Sequence, residues 1–378
     1  MNKIIILLTV AIGCFCGSLR AQDSSNIKVN IASAEMYISM AEKAMNSHVM
    51  PEAEEWDSLF ASPAYKALFS SVRWNRKTFK RNVREAFEIV YDPSKAGICD
   101  SMLKMLDTID LDIDSELPFF VSTAHRIKTT LPQYKEIISA IDMDSITREA
   151  HELALTLVPD NIKELTPEAI NMYFIVWDLE CRALGECVFL DINSFLNEGI
   201  QPAIEKLAHE IHHHYLQVIF NSVYETDIMD GAVVALITNM REGVADILNK
   251  KKMPVDNLYP YGEQMVAAYN NDYMNSPHVL ACLDSATCDY LDGKIDIEQY
   301  FKEGMDAAHF GGHTTGDFMV FLIRDQLGME AVMESIGDLD AFVDNYNLAA
   351  EKAGTYKFSD RFVQHIHNNS LPAKRTKS

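Results

Sequence analysis

The densest concentration of chemistry in the chain is Leu207, Ala208, His209, Glu210, Ile211, His212, His213, which contains the pattern His-Glu-x-x-His. On a helix, residues four apart lie one above the other on the same face, so His209 and His213 can grip a single metal ion. Glu210 then stands beside that ion, where its carboxylate can take a proton from a water made more acidic by the metal. The chemistry suited to this arrangement is metal-assisted hydrolysis, with Zn2+ as the ion and Glu210 as general base. Ile204, Leu207, Ala208, Ile211, Leu216 and Ile219 surround the motif with an apolar pattern that buries the helix. Buried imidazoles are costly unless ligated or hydrogen-bonded, which favours a ligand role for the pair. His212 and His214 fall off the ligand face by the same spacing and read as surface or packing histidines.

A hydrolytic zinc needs a third protein ligand and one open position. The metzincin continuation is excluded, because Leu216 and Ile219 stand where that pattern requires glycine and histidine. Downstream, a predicted helix over 231–250 carries Glu242 and Asp246, two carboxylates four residues apart on one face. Glu242 would complete the metal set, and Asp246 would accept the second N–H of a ligating imidazole and so fix its orientation.

With these residues in view, the chain resembles the gluzincin metallopeptidases, in which a glutamate on a second helix is followed four residues later by an orienting aspartate. The resemblance runs from the strand at Val188 to the segment around His313, and rests on His209, Glu210, His213, Glu242 and Asp246. Within that group it is most similar to a bacterial family of putative zinc-dependent peptidases. The resemblance implies a peptide or protein substrate, and Val188–Ile192 lies where an edge strand would pair with the substrate backbone, though it reads equally as a core strand. It also draws attention to Gly311, Gly312 and His313, where glycines allow close backbone approach and His313 could hydrogen-bond the oxyanion of a tetrahedral intermediate. Tyr259, Tyr261 and His309 are further candidates nearby.

Positioning such a site falls to helices. Segments 34–45, 74–89 and 133–141 show apolar residues at three- and four-residue steps, and the prolines at 51, 63, 93, 118, 132 and 159 mark helix boundaries. The strand signals are Glu186–Ile192, which ends at an Asn193-Ser194 turn, and Tyr173–Trp177. Further helices are predicted over 202–220, 231–250, 260–270, 278–291, 297–308 and 315–327. The fold class is therefore mainly α with a small sheet (α+β): a segment at 1–21, a helical region at 22–160 and a zincin-like catalytic region at 161–378.

Residues 1–21 have a basic start, an apolar middle too short to anchor in a bilayer, and a cut site after Ala21, as in a secretory signal peptide. The expectation is an exported protein, periplasmic or extracellular, with lipoprotein processing at Cys14 as the alternative. No later stretch is apolar enough to span a membrane. The 378 residues carry a formal net charge of -22, which repels nucleic acid phosphates and argues against a nucleic acid partner. Past the signal segment five cysteines remain; the pairs Cys181/Cys187 and Cys282/Cys288 could form local bridges or one cross-bridge, and none has zinc-ribbon spacing. Two rival readings stay open. A di-iron carboxylate protein would need two Glu-x-x-His motifs, and one is found at Glu210–His213. An exported helical binding protein with a structural zinc would have no use for Glu210.

Overall fold

The computed structural model describes residues 27–71, 76–105, 117–160, 163, 170–176, 181–184, 187–192, 195, 198–223, 230–258 and 263–369. The signal segment, Gly185, the Asn193-Ser194 turn, Tyr259 and Tyr261 lie outside the described residues. The chain is mainly helical with one small mixed sheet, and it divides into two compact units.

The first unit takes in 27–149 and 169–207. It contains strand β1 (Ile27–Asn30) and helices α1 (Ala32–Ser47), α2 (Ala53–Phe60), α3 (Pro63–Ser71), α4 (Arg76–Tyr91), α5 (Ala96–Met105) and α6 (Leu117–Ala140). The sheet is completed by β2 (Ile170–Ile175), β3 (Cys181–Leu184) and β4 (Cys187–Asp191). Strand order is β1-β2-β4-β3, with β1, β2 and β4 parallel and β3 antiparallel to β4. The two central strands, β2 and β4, are largely apolar because they are covered: Met172, Phe174, Val188, Phe189 and Leu190 are fully buried. Of the two readings of Val188–Ile192, the core strand holds and the edge strand is corrected, since β4 pairs with β2 on one side and β3 on the other. In that hairpin Cys181 lies opposite Leu190 and Cys187 opposite Leu184, so the register sets the two cysteines apart.

Pro132 does not end a helix as expected; α6 runs through it. The buried stripe Phe120, Ala124, Ile127, Leu131 and Tyr134 crosses the proline, and its burial outweighs the one backbone hydrogen bond that proline forfeits. The pair of helices predicted over 260–270 and 278–291 is likewise one helix, continuous across Pro277 and carrying the buried residues Tyr269, Ser276, Leu280, Leu283 and Thr287.

The second unit takes in 150–168 and 208–369 among the described residues. Helix α7 (Met143–Leu155) ends in it, and α8 (Ile200–Val223) enters it at Ala208. There follow α9 (Gly231–Asn249), α10 (Glu263–Leu291), α11 (Ile297–Asp306), α12 (His313–Leu327), α13 (Met329–Ser335), α14 (Leu339–Ala353) and α15 (Asp360–Asn369). Aspartates cap the starts of several: Asp230, Asp296 and Asp338 each accept a hydrogen bond from the backbone N–H three residues on. Helix α9 is buried around most of its circumference, from Ala232 and Val233 through Met240 to Asp246 and Leu248. Charged residues on such a helix need partners. No helix among the described residues is long and apolar enough to cross a membrane.

Candidate metal centre

Three helices supply the site: α8 brings His209, Glu210 and His213, α9 brings Glu242 and Asp246, and α12 begins at His313. The approach of α9 to α12 depends on two glycines. A Cβ on Gly243 would stand 2.3 Å from the Gly316 carbonyl oxygen, and one on Gly316 would stand 2.1 Å from the Asn239 carbonyl oxygen. Backbones can come that close only where side chains are missing. The turn into α12 adds a second constraint. Phe310, Gly311 and Gly312 all have positive φ, and a Cβ on Gly312 would meet Thr238 at 2.9 Å. That turn delivers His313 against α9.

The imidazoles of His209 and His213 and the Glu242 carboxylate converge. His209 Nε2 and His213 Nε2 are 3.0 Å apart, and Glu242 Oε2 lies 3.1 Å from His213 Nε2 and 3.7 Å from His209 Nε2. Ligand atoms around a tetrahedral zinc at its usual bond lengths must be roughly 3.3–3.4 Å apart, and the three separations bracket that value. Two imidazoles and a carboxylate are also a donor set that suits zinc. Glu210 follows His209 on the same helix, is partly exposed, and is near enough to favour the charged form of that imidazole.

Asp246 sits behind this trio, fully buried. Its Oδ1 lies 3.2 Å from His209 Nδ1, and its Oδ2 accepts a hydrogen bond from His313 Nδ1 at 2.7 Å. One carboxylate thus faces imidazoles from two different helices, and the rings of His209 and His313 stack at 5.8 Å. Nδ1 of each ring lies on the Asp246 side, so both rings turn Nε2 forward. His313 Nε2 reaches to 3.4 Å from Glu242 Oε2, beside the trio and not within it. A ring whose Nδ1 proton is engaged can donate from Nε2 only as the imidazolium. Burial works against that form, but Asp246 and Glu242 prevail and raise the His313 pKa above its ordinary value.

The same balance governs the neighbours. Burial lowers the His209 pKa, yet Asp246 and Glu242 outweigh it and leave the value well above the usual imidazole range. Burial opposes ionisation of Glu242, but His213 and His313 hold its carboxyl well below the ordinary range. Asp246 is likewise held low against burial by Lys250, His313 and His209. Burial, and the charged Asp246 beside it, push the Asp317 carboxyl well above the ordinary carboxylate range.

Sequence reasoning missed a layer of this centre. Lys250 donates to Asp246 and to Tyr269, and to Asp317 Oδ2 at 3.1 Å, while the Tyr269 hydroxyl donates to Asp317 Oδ2 at 2.8 Å. The signal for it was present as spacing: Asp246 with Lys250 and His313 with Asp317 are both four apart. His212 is a packing residue, fully buried with Nε2 3.0 Å from the Leu157 carbonyl oxygen, and burial pushes its pKa down to about 3. His214 is buried as well. His309 bonds Asp272 at 2.6 Å in a separate group that includes Thr314, apart from His209, His213 and Glu242. Cys282 and Cys288 are unbridged, since six residues on one helix place them on different sides.

Comparison with curated proteins and with solved structures returned no match. Against protein families, residues 56–355 match the one described as "Putative zinc dependent peptidase (DUF5700)", a span that includes His209, Glu210, His213, Glu242, Asp246 and His313. The match covers most of the chain, and the protein therefore belongs to that zinc-dependent family.

Proposed function

We propose that the chain is a gluzincin-like zinc metallopeptidase, exported on the strength of its first 21 residues. The observation that carries the reading is the convergence of His209 Nε2, His213 Nε2 and Glu242 Oε2 at separations of 3.0, 3.1 and 3.7 Å. These three side chains would hold the ion. When bound, zinc supplies Lewis acidity and makes a neighbouring water easier to deprotonate.

The rest of the chemistry belongs to the protein. Glu210, partly exposed at the site, takes the proton from the attacking water and returns it to the leaving amine. His313 in its charged form offers an Nε2–H to the oxygen on which negative charge develops, and Asp246 keeps that ring turned toward it. Asp246 also orients His209, so the ligand and the donor are set by a single carboxylate. A purely structural zinc would need neither Glu210 nor His313, which favours a hydrolase over a binding protein. The family description and the donor set both support zinc over a di-iron centre.

Exchange of the proposed base is the direct test. Glu210→Gln keeps the shape of the side chain and loses the proton acceptor. Turnover of a quenched-fluorescent peptide library should fall about 10²–10⁴-fold, with one zinc per chain retained. Undiminished turnover by the variant would remove Glu210 from the mechanism.

A further inference from the structure

We propose that Lys250 is a positioning residue of the metal centre: its ammonium, gripped by Asp246, Asp317 and Tyr269, locks the Asp246 carboxylate so that one side chain can orient both His209 and His313. The inference rests on the zinc reading above.

A lysine at the end of a helix ordinarily reaches into solvent, but the Lys250 side chain is only 11% exposed. Burying it costs side-chain entropy and hydration, and the surroundings compensate on every side. Asp246 stands one turn back on α9, Asp317 comes from α12, and Tyr269 of α10 offers both its hydroxyl and its ring face, 4.8 Å from Nζ. The Lys250 backbone N–H also donates to the Asp246 carbonyl at 2.7 Å, so main chain and side chain of one residue both hold Asp246 in place.

The need for such a clamp follows from what Asp246 must do. Its two oxygens face two imidazoles that enter on different helices, and only a narrow range of rotation satisfies both. A fully buried carboxylate has no solvent shell to hold it, so the ammonium behind it satisfies one of its oxygens and fixes its plane. The ammonium has a second consequence. His209, Asp246 and His313 cluster closely enough to hold an ion of their own, yet the ammonium on Asp246 Oδ2 disfavours a second cation there and makes that cluster an orienting layer instead of a second metal site.

The experiment compares full-length wild type with Lys250→Met. Zinc affinity is measured by competition with a chromophoric chelator, and ligand geometry by the visible absorption bands of the cobalt-substituted protein. Loss of the clamp should weaken zinc binding about 10–100-fold and shift the cobalt bands. Lys250→Arg, which keeps the cation, should recover part of the affinity. If Lys250→Met does not fold, the double variant Lys250→Met/Asp317→Asn removes the cation together with its second acid and should show the same weakened binding. Wild-type affinity with an unchanged cobalt spectrum in either folded variant overturns the positioning role. Failure of the wild type itself to bind zinc would overturn the metal reading instead.

Discussion

Spacing alone singles out His209, Glu210 and His213, because helix geometry turns a four-residue interval into shared direction. Glu242 and Asp246 stand out as a pair for the same reason. The role of His313 is the sharpest residue-level consequence. It lies beside the proposed ligand trio and hydrogen-bonds Asp246 at 2.7 Å, so His313→Gln should retain zinc while turnover drops about 10²–10³-fold. Metal analysis and peptide kinetics on one preparation check this, and loss of the metal along with activity would make His313 a ligand. Lys250 and Asp317 are only faintly legible, each four residues from a site residue, and Tyr269 not at all. A four-residue interval is common on any helix, and what gives these three meaning is burial, which arises only when α9, α10 and α12 pack together.

At the scale of elements, amphipathic helices as far as residue 327 and two of the strands could be read from periodicity, whereas α13 to α15 were not picked out and continuity across Pro132 and Pro277 could not be. Proline's local cost is fixed, but the burial that overcomes it is a property of the packed unit. The crossing of α9 with α12 was hidden for a related reason, since Gly243 and Gly316 look like weak points in helices until they meet. Gly243→Ala would drive a methyl into the Gly316 carbonyl, 2.3 Å away, and should cost about 1–3 kcal/mol of stability in urea unfolding. A variant as stable as wild type would mean that the two helices do not need this contact.

The N-terminus of α9 also gives a pH dependence. Asp230 accepts from Val233 N at 3.0 Å, from the Tyr300 hydroxyl at 3.0 Å and from His365 Nε2 at 2.7 Å. Burial raises its pKa, but His365 and the backbone donor win and leave it below the ordinary value of 3.8. A depressed carboxylate stabilises the fold above the unfolded-state pKa, and the contribution is lost as pH falls through the folded one. Unfolding free energy should therefore decline below about pH 4, more steeply in wild type than in Asp230→Asn. Equal slopes would remove Asp230 from the acid response.

For the molecule as a whole, all of the proposed site residues fall in the second compact unit, on α8, α9 and α12. An ion held by two of these helices, with the third tied in through Asp246, should stabilise the folded state in proportion to its binding. Zinc at 1,000 times its Kd would add about 4 kcal/mol, seen as a rise in Tm of the chelator-stripped protein. Glu242→Ala should abolish most of that rise, and an equal rise in the variant would place the ion elsewhere. The net charge of -22 remains a whole-molecule property legible from composition, and it argues against nucleic acid as a partner.

The central claim is tested most directly by anomalous diffraction at the zinc absorption edge from crystals of the purified protein. The account expects one strong peak lying about 2.0–2.2 Å from His209 Nε2, His213 Nε2 and a Glu242 oxygen. A map with no peak there, or with the zinc bound to other side chains, would contradict it.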